Sequence, residues 1–353
     1  MTAATKLENT TLAVLGAGKI GETLIRGLLE AGAIEPTRVR VTAAHLERTA
    51  TLVRELGVIP APSNRDAVRD AQLVLLCVKP QQVPAVVSEI ADALEPRHLL
   101  VSVAASVGTR AIEKHLSTAV PVVRAMPNTP VLLKQGMTAI APGSHATPEH
   151  LARARTIFDA VGRTVVVDEK HMDAITGLSA SGPAFIYIVI ESLAEGGVKV
   201  GLPRDLATEL AAQTVLGSGA MVIGTGAHPA LLKDQVTTPA GCTIDGILEL
   251  EDGGLRVTLI KAVVRAAERG EPVHRELTVD QLARTLGRLL VLLGVTLLVL
   301  GTVLALRPRI PWLGGLPGDF VWQRKGWAIY LPLGTSLLVS VILGLVLRWI
   351  GRR

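Results

Sequence analysis

Cysteine is scarce in this chain. Cys77 and Cys242 are the only two among 353 residues, with no close pair of the kind that holds zinc or forms a redox couple. Their scarcity fits a reducing compartment. A secretory segment is also lacking: in MTAATKLENTTLAVLGAGKIG the apolar stretch is too short for a signal core and runs straight into glycines. Basic excess is missing from most of the chain. The formal charge is +5, but from residue 282 onward nine Lys or Arg stand against Asp319, an excess of eight that leaves residues 1–281 at −3. That balance argues against nucleic acid as a partner. Two runs lack charge altogether, residues 289–306 and 328–347, each about the length that crosses a bilayer core. With 49% hydrophobic residues and a mean hydropathy of +0.42, and with Trp312, Trp322 and Trp327 beside flanking arginines, residues 278–353 are expected to form a two-helix transmembrane hairpin. The alternative is a buried helix pair in a soluble protein. The part before the hairpin is expected in the cytoplasm, with both termini inside.

What is present upstream is organised. TLAVLG, RVRVTAA, AQLVLLCV, HLLVSVAA, VPVVRAM and RTVVVDE are nearly unalternating Val- and Leu-rich runs, the pattern of strands covered on both faces. Helical stretches fit between them, so residues 1–167 are expected to be an α/β domain on a parallel sheet. Residues 168–277 read as helices only. SGPAFIYIVIESLAEGG is expected to start at Ser181 and Pro183 as capping positions and to end at Gly196 and Gly197. Its AFIYIVI segment is apolar all round, which points to burial by a second subunit.

LAVLGAGKIGETLIRGLL places Gly16, Gly18 and Gly21 after a strand and at the start of a helix. In that context the glycines serve a tight turn, a close backbone approach to a pyrophosphate, and helix–strand packing; the alternative is a glycine-rich turn without ligand. The next strand ends in Thr42, Ala43 and Ala44, followed by His45 and Arg48, without the Asp or Glu that an NAD ribose usually meets. NADPH is therefore favoured, with NADH possible. Arg48 reads either as a 2′-phosphate contact or as a solvated helix residue.

Together with LLCVKPQQV, VVRAMPNTPVLLKQGMTAI, MDAITGLSASGPAFIYIVIESLAEGGVKVGLPRDLA and HPALLKDQVTTPAGCTIDGILELEDGGLRVTLIKAV, this motif resembles the pyrroline-5-carboxylate reductases over residues 11 to 270. The resemblance implies a Rossmann domain that binds NAD(P)H and a helical domain that builds a homodimer or higher homo-oligomer. It implies hydride transfer to the ring imine of 1-pyrroline-5-carboxylate, giving L-proline. It also implies cofactor contacts at Gly16, Ala17, Gly18, Lys19, Ile20 and Gly21, at Asn64, at Val78, Lys79 and Pro80, and at Ala104 and Ala105. Substrate contacts fall on Gln235, Gly241, Cys242 and Thr243, with the Thr243 hydroxyl donating to the substrate nitrogen as the catalytic residue. Two positions depart from the family pattern: Ala240 replaces the first of two glycines, and Gly226 stands where many members carry a polar or acidic residue. Residues 282–353 are similar to small bacterial two-helix membrane proteins of unknown function that share the LGGLPGD loop.

The loop VTTPAGCTIDG has no histidine, and its one carboxylate, Asp245, lies outside the small-residue core. A protonated cyclic imine is already electrophilic, so orientation and one hydrogen-bond donor suffice. Backbone N–H groups of Gly241, Cys242 and Thr243 at a helix start form an expected site for the substrate carboxylate. The alternative for Thr243 is a plain helix N-cap. His171 and His228 match no metal spacing and are expected to be structural. The rivals are another imine or β-hydroxyacid reductase, the latter disfavoured by the absence of a lysine at the start of the helical domain, and a non-catalytic, membrane-tethered NADP-binding protein.

Overall fold

A computed structural model describes Leu7, residues 9–238 and 241–270, and parts of the stretch 286–332. The chain divides into two compact units, Met1–His274 and Arg275–Arg353. The first opens with β1 (Leu12–Leu15), α1 (Lys19–Glu30), β2 (Val39–Thr42), α2 (Leu46–Leu56), β3 (Ile59–Pro60), α3 (Asn64–Arg69), β4 (Leu73–Leu76), α4 (Val83–Ile90) and β5 (Leu99–Ser102). It continues through α5 (Thr109–Glu113), β6 (Val122–Pro127), β7 (Gly136–Pro142), α6 (Pro148–Asp159) and β8 (Gly162–Val166). The sheet order is β3-β2-β1-β4-β5-β6-β7-β8. Chain direction reverses its walk across the sheet between β1 and β4, which opens a crevice at the carboxyl ends of those strands.

The strands are short and apolar because both faces are covered. Leu12 and Val14 enter one dry layer with Leu24, Leu28, Ile157 and Phe158 of the helices above. Ala13 and Leu15 enter the other with Val68, Val87 and Ile90 below. Two features depart from the expected sheet. β3 and β7 add strands that the apolar runs did not mark, and β7 pairs with β6 antiparallel, Val123 against Pro142 through Pro127 against Thr138. β7 is bounded by Gly136, where an added Cβ would stand 2.2 Å from Val131 Cγ1, so only glycine admits the tight return from β6.

The helical part holds α7 (Met172–Ile175), a π-helical turn over Thr176–Ala180, α8 (Gly182–Lys199), α9 (Arg204–Thr225), α10 (Pro229–Gln235), α11 (Cys242–Asp252) and α12 (Leu255–Gly270). The expected start of α8 holds, with Ser181 at the N-cap position and Pro183 in the first turn, but the expected end does not. Ser181 is already helical and its side chain makes no capping bond, because the π turn runs into it: the Ser181 N–H donates to the Thr176 carbonyl at 2.9 Å. Gly196 and Gly197 lie inside the helix. Gly197 serves packing instead, since a Cβ there would stand 3.0 Å from the Ala207 Cβ of α9. The small core between α8 and α9 consists of Ala194, Ala207 and Ala211.

In the second unit the described residues between 286 and 301 are helical. Leu290, Val291, Val295 and Leu297 among them are more than half exposed. β9 (Asp319–Arg324) and β10 (Trp327–Pro332) pair antiparallel. The expected second helix therefore does not begin at residue 328, and the rest of that apolar run lies outside the described residues.

Candidate functional site

The β1–α1 turn is fixed from both sides. Gly16 has φ +77°, and an added Cβ would stand 2.5 Å from Val78 Cγ1 and 3.1 Å from the Val78 nitrogen. The Gly16 and Ala17 amides both donate to the Thr42 carbonyl, at 3.1 and 2.8 Å. Gly18 is the N-cap of α1, and the one heavy atom within 4 Å of where its Cβ would stand is the Gly16 carbonyl oxygen at 3.9 Å. That open side, with the unpaired amides of a helix start behind it, suits a phosphate. Gly21 is different: a Cβ there would touch Val14 Cγ1 at 3.3 Å and Cys77 Sγ at 3.5 Å, so it serves helix–sheet packing.

Around this turn lies a cleft of about 530 Å³ lined by Gly16, Ala17, Gly18, Arg48, Asn64, Val78 and Lys79, all expected from the sequence, and by residues the sequence reading had not assigned, among them Gln82 and Val86. Thr42, Ala43, Ala44, His45 and Cys77 complete it. Lys19, Ile20, Pro80, Ala104 and Ala105 are not among the lining residues. Ile20 packs into the sheet core, and Ala104 is buried at the end of β5 with its amide donating to Ser102 Oγ at 3.3 Å. Gln82 and Val86 had one usable signal, their place one helical turn beyond the CVKP strand end.

Polar groups in the cleft are held in place. Thr42 Oγ1 donates to Asn64 Oδ1 at 2.6 Å, and Asn64 Nδ2 donates to Glu89 Oε2 at 2.9 Å. Burial pushes the Cys77 thiol up to about 12, so it is a neutral wall group. Its ionisable lining is otherwise basic, with His45, Arg48 and Lys79 and no Asp or Glu among the described residues. Arg48 is not a free cation, however: its guanidinium pairs with Glu22 in the first turn of α1 and reaches the Ala17 carbonyl at 3.5 Å. The sequence hid that pairing because the two residues lie 26 positions apart.

The small-residue loop is arranged otherwise than expected. Gly241, not Thr243, is the N-cap of α11, and Thr243 sits one residue inside the first turn. The Gly241 amide is already committed, donating to the Thr238 carbonyl at 3.1 Å. The anion site expected from three amides thus reduces to those of Cys242 and Thr243, which have no acceptor within the helix. Thr243 is half-buried, and among the described residues its hydroxyl makes no hydrogen bond. Cys242 and Gln235 are exposed. His228 caps α10, its Nδ1 accepting from the Ala230 amide at 3.2 Å. None of the described residues between 235 and 243 lines the cleft, and α11 packs on α12.

Polar joints connect sheet and helices. Asn128, at the end of β6, donates from Nδ2 to the Ser179 carbonyl at 3.3 Å and accepts from the Met137 amide at 2.9 Å. Arg124, 4% exposed, faces Asp173 at 3.4 Å and Glu169 at 3.8 Å. Glu169 in turn accepts from the amide and hydroxyl of Thr109, each at 2.6 Å. The sequence signal for this network was a lone arginine inside the apolar run VVRAM.

A glycine turn at the sheet's switch point, a basic cleft and a helical appendage define an oxidoreductase of the Rossmann type. Residues 11–106 match the family model described as NADP oxidoreductase, coenzyme F420-dependent, and residues 169–273 match pyrroline-5-carboxylate reductase dimerisation. The chain belongs to the pyrroline-5-carboxylate reductase family. It is 46% identical to the Glycine max pyrroline-5-carboxylate reductase, over 74% of this chain and 95% of that protein. To the Methanosarcina acetivorans enzyme it is 42% identical, over 76% and 100%. The Coxiella burnetii reductase structure superposes with a TM-score of 0.71 at 35% identity, covering 74% of this chain and 98% of that one. The Plasmodium falciparum enzyme, solved with NADP bound, gives 0.68 at 29% identity, over 75% and 98%. Residues 287–350 match a family of proteins of unknown function.

Proposed function

We propose that this chain reduces 1-pyrroline-5-carboxylate to L-proline, the last step of proline biosynthesis, with NADPH favoured over NADH. When bound, the dinucleotide supplies the hydride. Gly16, Ala17 and Gly18 at the start of α1 would hold its pyrophosphate, Thr42 and Asn64 would meet the ribose hydroxyls, and Arg48 would meet a 2′-phosphate. The observation that carries this reading is the Gly16–Gly18 cradle, tied to Thr42 and left open at Gly18.

Thr243 is the group for the substrate nitrogen. With Gly241 as the cap, the Thr243 hydroxyl is not used in holding the helix and is free to donate. The amides of Cys242 and Thr243, with the positive end of α11, receive the substrate carboxylate. Because these residues stand apart from the cleft lining within one chain, a second subunit is needed to bring loop and cleft together. Apolar surface on α8 and α9 supports that dimer: Tyr187, Ile188, Leu216 and Ile223 are each at least 60% exposed. Two helical stretches, Glu169–Lys199 and Arg204–Thr225, have the length and composition to cross a membrane, but they fall within the part matched to dimerisation.

The C-terminal unit tethers a cytoplasmic reductase to the membrane. Its exposed helical leucines and valines before residue 302 support this reading. β10 leaves fifteen uncharged residues, 333–347, for a second span, short of the roughly 20 that a straight helix needs. Purified full-length protein should oxidise NADPH only when pyrroline-5-carboxylate is added. Absence of that oxidation overturns the activity. Release of the protein by a carbonate wash overturns the tether.

A further inference from the structure

Glu22 is the carboxylate that pairs with Arg48 of the cleft lining, and it does so as a member of a chain of charges. Its Oε1 pairs with Arg26 at 2.7 Å, and its Oε2 pairs with Arg48. Arg26 also pairs with Glu55, across from α1 to α2. The order along the rim is therefore Glu55, Arg26, Glu22, Arg48. Arg48 and Glu22 are both only partly exposed, at 34% and 21%, so their charges are incompletely screened. The α1 helix start adds positive potential that favours any phosphate.

We infer that Glu22 sets the balance between NADPH and NADH by neutralising Arg48 and opposing the 2′-phosphate that Arg48 would otherwise attract more strongly. The inference rests on the assignment of Arg48 to that phosphate. A 2′-phosphate must compete with the Glu22 carboxylate for the guanidinium and must tolerate its negative charge nearby. NADH, with a neutral 2′-hydroxyl, meets neither cost. Arg26 moderates the effect by sharing the Glu22 carboxylate, so losing Arg26 leaves Glu22 wholly to Arg48.

The test is equilibrium binding of NADP⁺ and NAD⁺ to the full-length protein by calorimetry, at low and at high salt. Glu22→Gln should raise the NADP⁺-over-NAD⁺ affinity ratio on the order of tenfold at low salt, less at high salt. Arg26→Gln should lower the ratio a few-fold, and Arg48→Gln should bring it close to one. In the Arg48→Gln background, Glu22→Gln should have no further effect on the ratio. Glu22→Ala repeats the measurement without the amide. An unchanged ratio in Arg48→Gln overturns the phosphate assignment and this inference with it. A collapsed ratio there, together with no rise in Glu22→Gln, overturns the role of Glu22 alone. A rise in Glu22→Gln that persists without Arg48 overturns the route through Arg48.

Discussion

The sheet and the helices of the first unit are built from equally apolar sequence, yet only the sheet completes its own core. Strands β1, β4 and β5 have every residue buried, with helices on both faces. In α8 and α9 the fully buried residues are three alanines, while Leu210, Leu216, Met221 and Ile223 remain at least half exposed. The same kind of side chain is thus finished in one region and unfinished in the other. A parallel sheet receives its cover from its own crossover helices. A long helix pair has only the neighbours that two short loops can deliver, so its outer faces need another chain.

The sharpest way to break this comparison is to put a charge on the unfinished surface. Ile188→Asp should leave the monomer folded but prevent association, with activity on the order of a hundredfold below wild type because a buried unpaired charge is costly. Light scattering and NADPH oxidation read both, and an active dimer would mean that α8 is not the interface. Thr243→Ala should reduce kcat/KM on the order of ten- to a hundredfold, as expected for loss of a donor felt by the reacting atoms, with the melting temperature almost unmoved. A large loss of stability instead would mark Thr243 as structural.

The joint between the two regions offers a smaller effect. Glu169→Ala removes both Thr109 hydrogen bonds and one partner of the buried Arg124, and should cost about 2–3 kcal/mol in a denaturant titration. The smallest expected effect lies in the finished half. His98 is fully buried, with Nδ1 accepting from the Glu95 amide at 2.8 Å. Burial holds its pKa below the usual histidine value, so the fold favours the neutral ring. Its contribution is present above the unfolded-state pKa of about 6.5 and is lost as pH falls below it. Thermal melts across that range should show a decline that His98→Gln removes.

Legibility followed the same divide. The six apolar runs, the glycine turn and the family motifs were readable because each is contiguous. β7 was not, since GMTAIAP mixes Thr138 and Met137 into the run and its antiparallel return depends on Gly136 meeting Val131. The C-terminal end of α8 was misread because glycine ends a helix only when the chain stops there, and here Gly197 packs against Ala207 from inside the helix. Gly241 took the cap from Thr243 by a shift of two residues, a resolution that local propensity does not reach. In the second unit, the apolar run from residue 328 carried no sign of β10, because uncharged sequence serves strand and helix alike.

The sequence by itself determined the family, the α/β plan, the phosphate turn at Gly16–Gly18 and the candidate donor Thr243, since each is written in neighbouring residues whose spacing carries the physics. Only the tertiary structure decided that Arg48 is paired with Glu22, that Gly241's amide is spent on Thr238, and that Arg124 is buried against Glu169 and Asp173. These are pairings or commitments made by where the backbone travels, and charge and hydrogen-bond capacity do not reveal in one dimension which partner will stand opposite them.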